Sequence, residues 1–197
     1  MKKLLVSQRD LNKHVRKICT EIESSNWRPD YVVGLTRGGL IPAVMISEYF
    51  DLRCETLKIS LRDGGECESN LWMAEDAFGY VPTDERQDAE FEITHLPVSG
   101  DASDRQRRKN ILIVDDINDT GATINWLIND WPSGCLPEDR AWKSIWNHNV
   151  RFAVLYDNAA SNCVVNMDYV GKEIDKSKNN TWVDFPWESW WKPWWRR

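Results

Sequence analysis

An α/β fold, with a mainly parallel central sheet and helices on both faces, is what this sequence predicts, and three observations carry it. Residues 111–114, Ile-Leu-Ile-Val, are an unbroken β-branched and leucine run, the composition of a strand buried on both faces of a parallel sheet. Residues 31–35, Tyr-Val-Val-Gly-Leu, lead through Gly38 and Gly39 into a second apolar stretch at 39–50, the strand, turn and helix that open a βαβ unit. Segments of helical period alternate with the apolar runs. With 197 residues the chain is expected to form one domain carrying long insertions.

Each element has its own reason. Ser7 and Asp10 form a capping-box pattern, and Leu11, Val15, Ile18 and Ile22 follow along one helical face, so a helix is expected up to about Ser24. Residues 31–35 read as a strand and 39–50 as a helix whose Pro42 falls in the tolerant first turn. Residues 55–60 are the next strand. Residues 61–110 form a polar, charged excursion holding a short helix around Leu71 and an alternating edge strand at 91–98. After 111–114 a helix runs from about Ala122 to Trp131, then a second polar excursion covers 132–149. Residues 152–156 and 162–167 complete the expected strands.

Composition closes several alternatives. Hydrophobic residues make up 42% and charged residues 28%, with 10 Gly and 8 Pro, which excludes a disordered or fibrous chain. No apolar run approaches membrane-spanning length, and the start lacks a signal-peptide core, so a cytoplasmic protein is expected. A net charge of −6 argues against a broad nucleic-acid face. The five cysteines have no CxxC or Cys/His spacing, against a disulfide framework or a zinc site. His14, His95 and His148 read as surface or capping residues. Of twelve tryptophans, six follow Thr181, in a tail ending Arg196-Arg197. Packing against the body or a second copy in a homo-oligomer is the expected role of that tail, with weak contact to a membrane surface as the alternative. Arg105, Arg107, Arg108 and Lys109 cluster in a solvated loop or in a lid that closes over an anion.

Chemistry concentrates in Ile111–Leu127. The buried strand ends in Asp115 and Asp116, Asp119 follows, and Thr120-Gly121-Ala122-Thr123 opens a helix. Side chains at the carboxyl end of a parallel strand project into the crevice where α/β sheets bind ligands. The small residues admit a ligand to the backbone, and a helix N-terminus favours a phosphate. One turn thus joins acceptors for sugar hydroxyls or a divalent metal to a phosphate cradle. Helix capping alone would use one of these carboxylates; three like charges after a buried strand call for a cation or hydroxyls.

This segment resembles the 5-phosphoribosyl-1-pyrophosphate (PRPP) motif of the type I phosphoribosyltransferases, and the wider chain is similar to the bacterial xanthine-guanine members. The likeness extends over residues 6–22, 31–53, 111–123, 151–155 and 180–188, in the family's order. It implies a parallel sheet topped by a small hood. It further implies transfer of the phosphoribosyl group to a nucleobase, expected to be guanine, xanthine or hypoxanthine, with release of pyrophosphate and Mg²⁺ as cofactor. By the same resemblance, Thr120, Gly121, Ala122 and Thr123 hold the 5′-phosphate. Asp115 and Asp116 face the ribose hydroxyls, directly or through Mg²⁺ held on Asp116. Asp119 is the general base, and Arg37 and Gly38 meet the pyrophosphate. Trp182 stacks on the base, and the backbone of Val183 contacts its edge.

Some positions depart from the pattern. Asn158 stands where the family places a lysine against the purine 6-oxo group, which leaves 6-amino and other bases open. Ser60-Leu61 replaces a Ser-Tyr pair, and Arg62 and Arg86 are candidates for a family arginine in the long loop. The alternative reading is a PRPP- or nucleotide-binding regulator without turnover.

Overall fold

The computed structural model describes residues 2–61, 67–79, 108–134, 141–179, 181–188 and 190–191. In chain order they form β1 (Lys2–Leu5), α1 (Gln8–Ser24), β2 (Tyr31–Leu35), α2 (Leu40–Phe50), β3 (Cys54–Leu57), α3 (Leu71–Phe78), β4 (Ile111–Asn118), α4 (Ala122–Gly134), a 3-10 turn (Ala141–Ser144), β5 (Val150–Asn158), β6 (Tyr169–Ile174) and β7 (Thr181–Asp184). Five strands lie in the order β3-β2-β4-β5-β6, and every neighbouring pair is parallel. The Ile-Leu-Ile-Val strand is the middle one, as expected.

Alternation along β4 shows why the sheet is covered twice. Ile111 and Ile113 point, with Tyr31, Val33 and Phe152, into a core built with α3, α4 and the 3-10 turn. Leu112 and Val114 point, with Val32, Ala153 and Leu155, into a second core built with α1 and α2. Period two on a strand and two apolar faces leave β4 no exposure to water over its first four residues. The predicted capping box of α1 is present: the Asp10 amide donates to Ser7 Oγ, and the Ser7 amide and hydroxyl donate to the Asp10 carboxylate.

Elsewhere the structure corrects the sequence reading. Residues 162–167 form no strand. Val164 donates its amide to Asn125 Oδ1, and Asn125 Nδ2 donates to the carbonyl of Asn162, so this segment is tied across the start of α4. Its apolar residues Cys163, Val165 and Met167 turn onto the core while Val164 is exposed, which imitates strand alternation without a ladder. The outer strand is instead β6. Within 132–149 the segment is not merely polar: Trp142, Ile145 and Trp146 are buried, and Trp142 stacks on Trp146 at 5.3 Å. His14, expected at the surface, is buried with its ring edge-on to Tyr156 at 5.2 Å.

A second, two-stranded sheet pairs β1 with β7 in parallel, Lys3 opposite Trp182 and Leu4 opposite Val183. This is the small hood, and Val6, Val183 and Phe185 fasten it to the α1 side of the core. Trp187 stacks on Phe185 at 4.8 Å, whereas Trp190 and Trp191 are exposed. The expected edge strand at 91–98, His95, Cys135, Arg62, Arg86, Arg105, Arg107 and residues 192–197 lie outside the described residues.

Candidate active site

The carboxyl ends of β2, β4 and β5 meet at one edge of the sheet, and the residues singled out by sequence converge there. β2 leaves the core through Thr36 and an exposed Arg37, then packs the glycines of its turn onto β4. A Cβ at Gly38 would run into the Asp116 carboxylate, and one at Gly39 into the carbonyl of Val114 and the Asp115 backbone. Glycine at both positions is therefore what lets the Arg37 turn lie directly against the two aspartates. The Asp116 amide donates to Asp115 Oδ1 at 2.9 Å, in the last stretch of pairing before β4 ends at Asn118.

Beyond β4 the chain bends into α4. Gly121 has φ of +85°, the left-handed region, and a Cβ there would meet the Cys163 amide nitrogen at 2.5 Å. Glycine thus serves both the turn and the crossing of the 162–165 segment. The Ala122 amide donates to Thr120 Oγ1 at 3.3 Å, and Thr120 and Ala122 are exposed while Thr123 is half-buried. The first-turn amides of α4 have no carbonyl one turn back, and the dipole end adds positive potential, so an anion is favoured here. Burial pushes the Cys163 thiol above its ordinary range, where the Cys163 backbone packs against the Gly121 turn.

Asp119 lies between the cradle and β5. Its carboxylate meets Lys176 Nζ at 2.8 Å, and its carbonyl accepts from Asn158 Nδ2 at 2.8 Å. Asn158 is buried, and its Oδ1 accepts the amides of Ala160 and Lys176. Its side chain is therefore bound up with the surrounding loops, in contrast to the base contact expected of this position. Trp182 and Val183 sit on β7 in the hood. Val183 is buried in the core and lies opposite Leu4 of β1, and Trp182 is half-buried. Sequence reading missed Lys176. In Asp-Lys-Ser-Lys it has the appearance of a solvated loop lysine, and nothing in its spacing marks it.

Two cavities lie beside this crevice. The larger, about 470 Å³, is bordered by Lys13, His14, Lys17 and Lys172, and its one carboxylate, Asp10, is already occupied in capping α1. The other, about 220 Å³, runs beneath β1 and β7 and reaches Lys176. Neither is lined by the β4 carboxylates. The crevice outranks both on chemistry, because there the acceptors and the phosphate-favouring amides stand together.

Residues 5–190 match the family described as the phosphoribosyl transferase domain. The chain belongs to that family. A xanthine-guanine phosphoribosyltransferase of Roseobacter denitrificans is 27% identical over 165 residues, spanning 82% of this chain and 69% of the relative. Among solved structures, a purine phosphoribosyltransferase from Pyrococcus horikoshii superposes with a TM-score of 0.58 at 20% identity, covering 96% of each chain. The Helicobacter pylori xanthine-guanine-hypoxanthine phosphoribosyltransferase gives 0.56 at 18% identity, over 94% of this chain and 92% of that one. At such identities the superpositions show the phosphoribosyltransferase fold, the parallel sheet with its helices.

Proposed function

We propose that this phosphoribosyltransferase moves the 5-phosphoribosyl group from PRPP to a purine base, with guanine, xanthine or hypoxanthine as acceptor, and releases pyrophosphate. One observation carries the reading: Asp115 and Asp116 lie near the carboxyl end of the central strand, with Asp116 against the Gly38 turn, and the Thr120–Thr123 cradle follows just past the strand's end at Asn118. The relatives named for purine and xanthine-guanine transfer support the purine as acceptor.

The chemistry follows from placement. Thr120, Gly121, Ala122 and Thr123 hold the 5′-phosphate on the start of α4. Asp115 and Asp116 lie beside the ribose, where positive charge grows as the bond from its anomeric carbon to the diphosphate oxygen breaks. Arg37, exposed at the mouth, faces the departing diphosphate. The carbon–nitrogen bond to the base forms on the hood side, where Trp182 covers the ring and the Val183 backbone meets its edge, and Asp119 takes the ring N–H proton. Asp115 and Asp116 offer the hard oxygen donors that Mg²⁺ prefers. Among the described residues no cluster of three or more acidic, histidine or cysteine side chains forms a complete metal cage. Asp116 would hold such an ion, with Asp115 as the neighbouring oxygen donor. When bound, it would neutralise diphosphate charge.

The test is pyrophosphate release from PRPP and Mg²⁺ with guanine, xanthine, hypoxanthine, adenine and uracil in parallel. Turnover with at least one 6-oxopurine is expected. Silence across all five, with PRPP raising the melting temperature, would overturn the 6-oxopurine assignment and leave a PRPP-binding regulator or a transferase for an acceptor outside these five.

A further inference from the structure

Lys176 belongs to a short loop after β6 whose position is fixed from below. The Ala159 amide donates to the carbonyl of Ile174 at 2.8 Å, and the Lys176 amide donates to Asn158 Oδ1 at 3.0 Å. The same Asn158 side chain donates to the Asp119 carbonyl. One buried amide thus sets both the lysine and the aspartate, which approach from different strands. The loop's other lysine, Lys178, pairs with Asp175 at 2.8 Å and is 78% exposed, while the Lys176 side chain is 16% exposed. An exposed ion pair contributes little to stability, and this one is largely withdrawn from water beside the candidate proton acceptor. The result is a donor and an acceptor side by side, 2.8 Å apart at their closest atoms.

We propose that Lys176 determines which base is accepted: with Asp119 it selects a ring nitrogen flanked by an exocyclic oxygen and rejects one flanked by an amino group. The inference rests on the transferase reading and deepens it. A 6-oxopurine gives its ring N–H to Asp119 and its oxygen to Lys176. A 6-aminopurine turns N–H donors towards an ammonium that can only donate, so donor meets donor where the oxo group would have accepted a hydrogen bond. Asn158 is the positioning residue for this pair, which gives its side chain a role without direct contact to the base.

The test compares wild type, Lys176→Met, Lys176→Arg and Asn158→Ala with hypoxanthine and with adenine. Calorimetry of inosine and adenosine monophosphates reads the same oxo-over-amino choice without turnover. Lys176→Met should lower kcat/KM for hypoxanthine by about tenfold to a hundredfold, chiefly through KM, because one hydrogen bond to a charged donor is lost. Any change with adenine should be smaller, so that the oxo-over-amino ratio falls by about tenfold or more. Lys176→Arg should restore most of the preference, and Asn158→Ala should shift it in the same direction as Lys176→Met. Equal losses for both bases, or an unaltered oxo-over-amino ratio in binding and turnover, would overturn the proposal. A wild type that turns over no base overturns the transferase reading instead, and the monophosphate titrations then decide the role of Lys176 by the same ratio. Should Lys176→Met fail to fold, Lys176→Gln carries the same prediction.

Discussion

In the proposed reaction Asp119 takes a proton from the incoming base, and its neighbours hold it both by the carboxylate, through Lys176, and by the backbone, through Asn158. The carbonyl bond from Asn158 does not depend on the carboxylate. Replacing Asp119 by Asn should therefore leave PRPP affinity within about twofold while kcat falls by about a hundredfold to ten-thousandfold, the range of a general base. Single-turnover rates and a PRPP titration on the same variant separate the two. An unchanged kcat would take Asp119 out of proton transfer. Asp115, Asp116, Asp119 and the threonine turn were legible in sequence because strand, carboxylates and helix start are consecutive and need no tertiary information. Lys176 was illegible because its place beside Asp119 is set by a hydrogen bond to Asn158 on another strand.

At the scale of elements, legibility followed the source of each element's stability. Helix α1 declares itself, since cap and apolar stripe are both local. Strands β1, β6 and β7 do not, because Lys2–Leu5, Tyr169–Ile174 and Thr181–Asp184 acquire strand form only by pairing with distant residues. The capping box of α1 makes a prediction with a sign. The Ser7 bonds hold the Asp10 carboxyl below its ordinary value of 3.8. A depressed carboxylate contributes stability that is present above the unfolded value and lost as pH falls through the folded one. Ser7→Ala should lower the melting temperature by about 2–4 °C near pH 6. The gap to wild type should narrow as pH drops below 3.8 towards 2, since acid removes the carboxylate half of the box from wild type as well. Melting curves of both proteins across that interval are the check. A gap that widened in acid would show that the box is not what Ser7 contributes.

For the whole molecule, the two sides of the sheet are unlike. One, from α1 and α2, buries Trp27, Tyr156, Tyr169 and Phe185 dispersed among aliphatic residues. The other gathers Trp131, Trp142, Trp146 and Phe152, with Trp146 at 5.8, 5.3 and 6.0 Å from its three ring partners. That cluster spans the end of α4, the 3-10 turn and β5, so it closes the segment that polarity alone had marked as an excursion. Trp146→Ala should cost about 3–5 kcal/mol, a fall of roughly 10 °C or more in melting temperature, with KM values for both substrates retained at low temperature. Altered KM values without a stability loss would move Trp146 from the core to the site. The hood differs in kind from both cores, since Lys3 and Asp184, bridged at 3.2 Å, are 181 residues apart. During synthesis β1 emerges ahead of all the other described strands and has no partner until β7 leaves the ribosome. Residues 115–123, Lys176 and the five strands of the main sheet are by then already made. A nascent chain arrested before Thr181 would thus hold that sheet with β1 still unpaired, so closure of the hood is the last strand pairing the described residues complete.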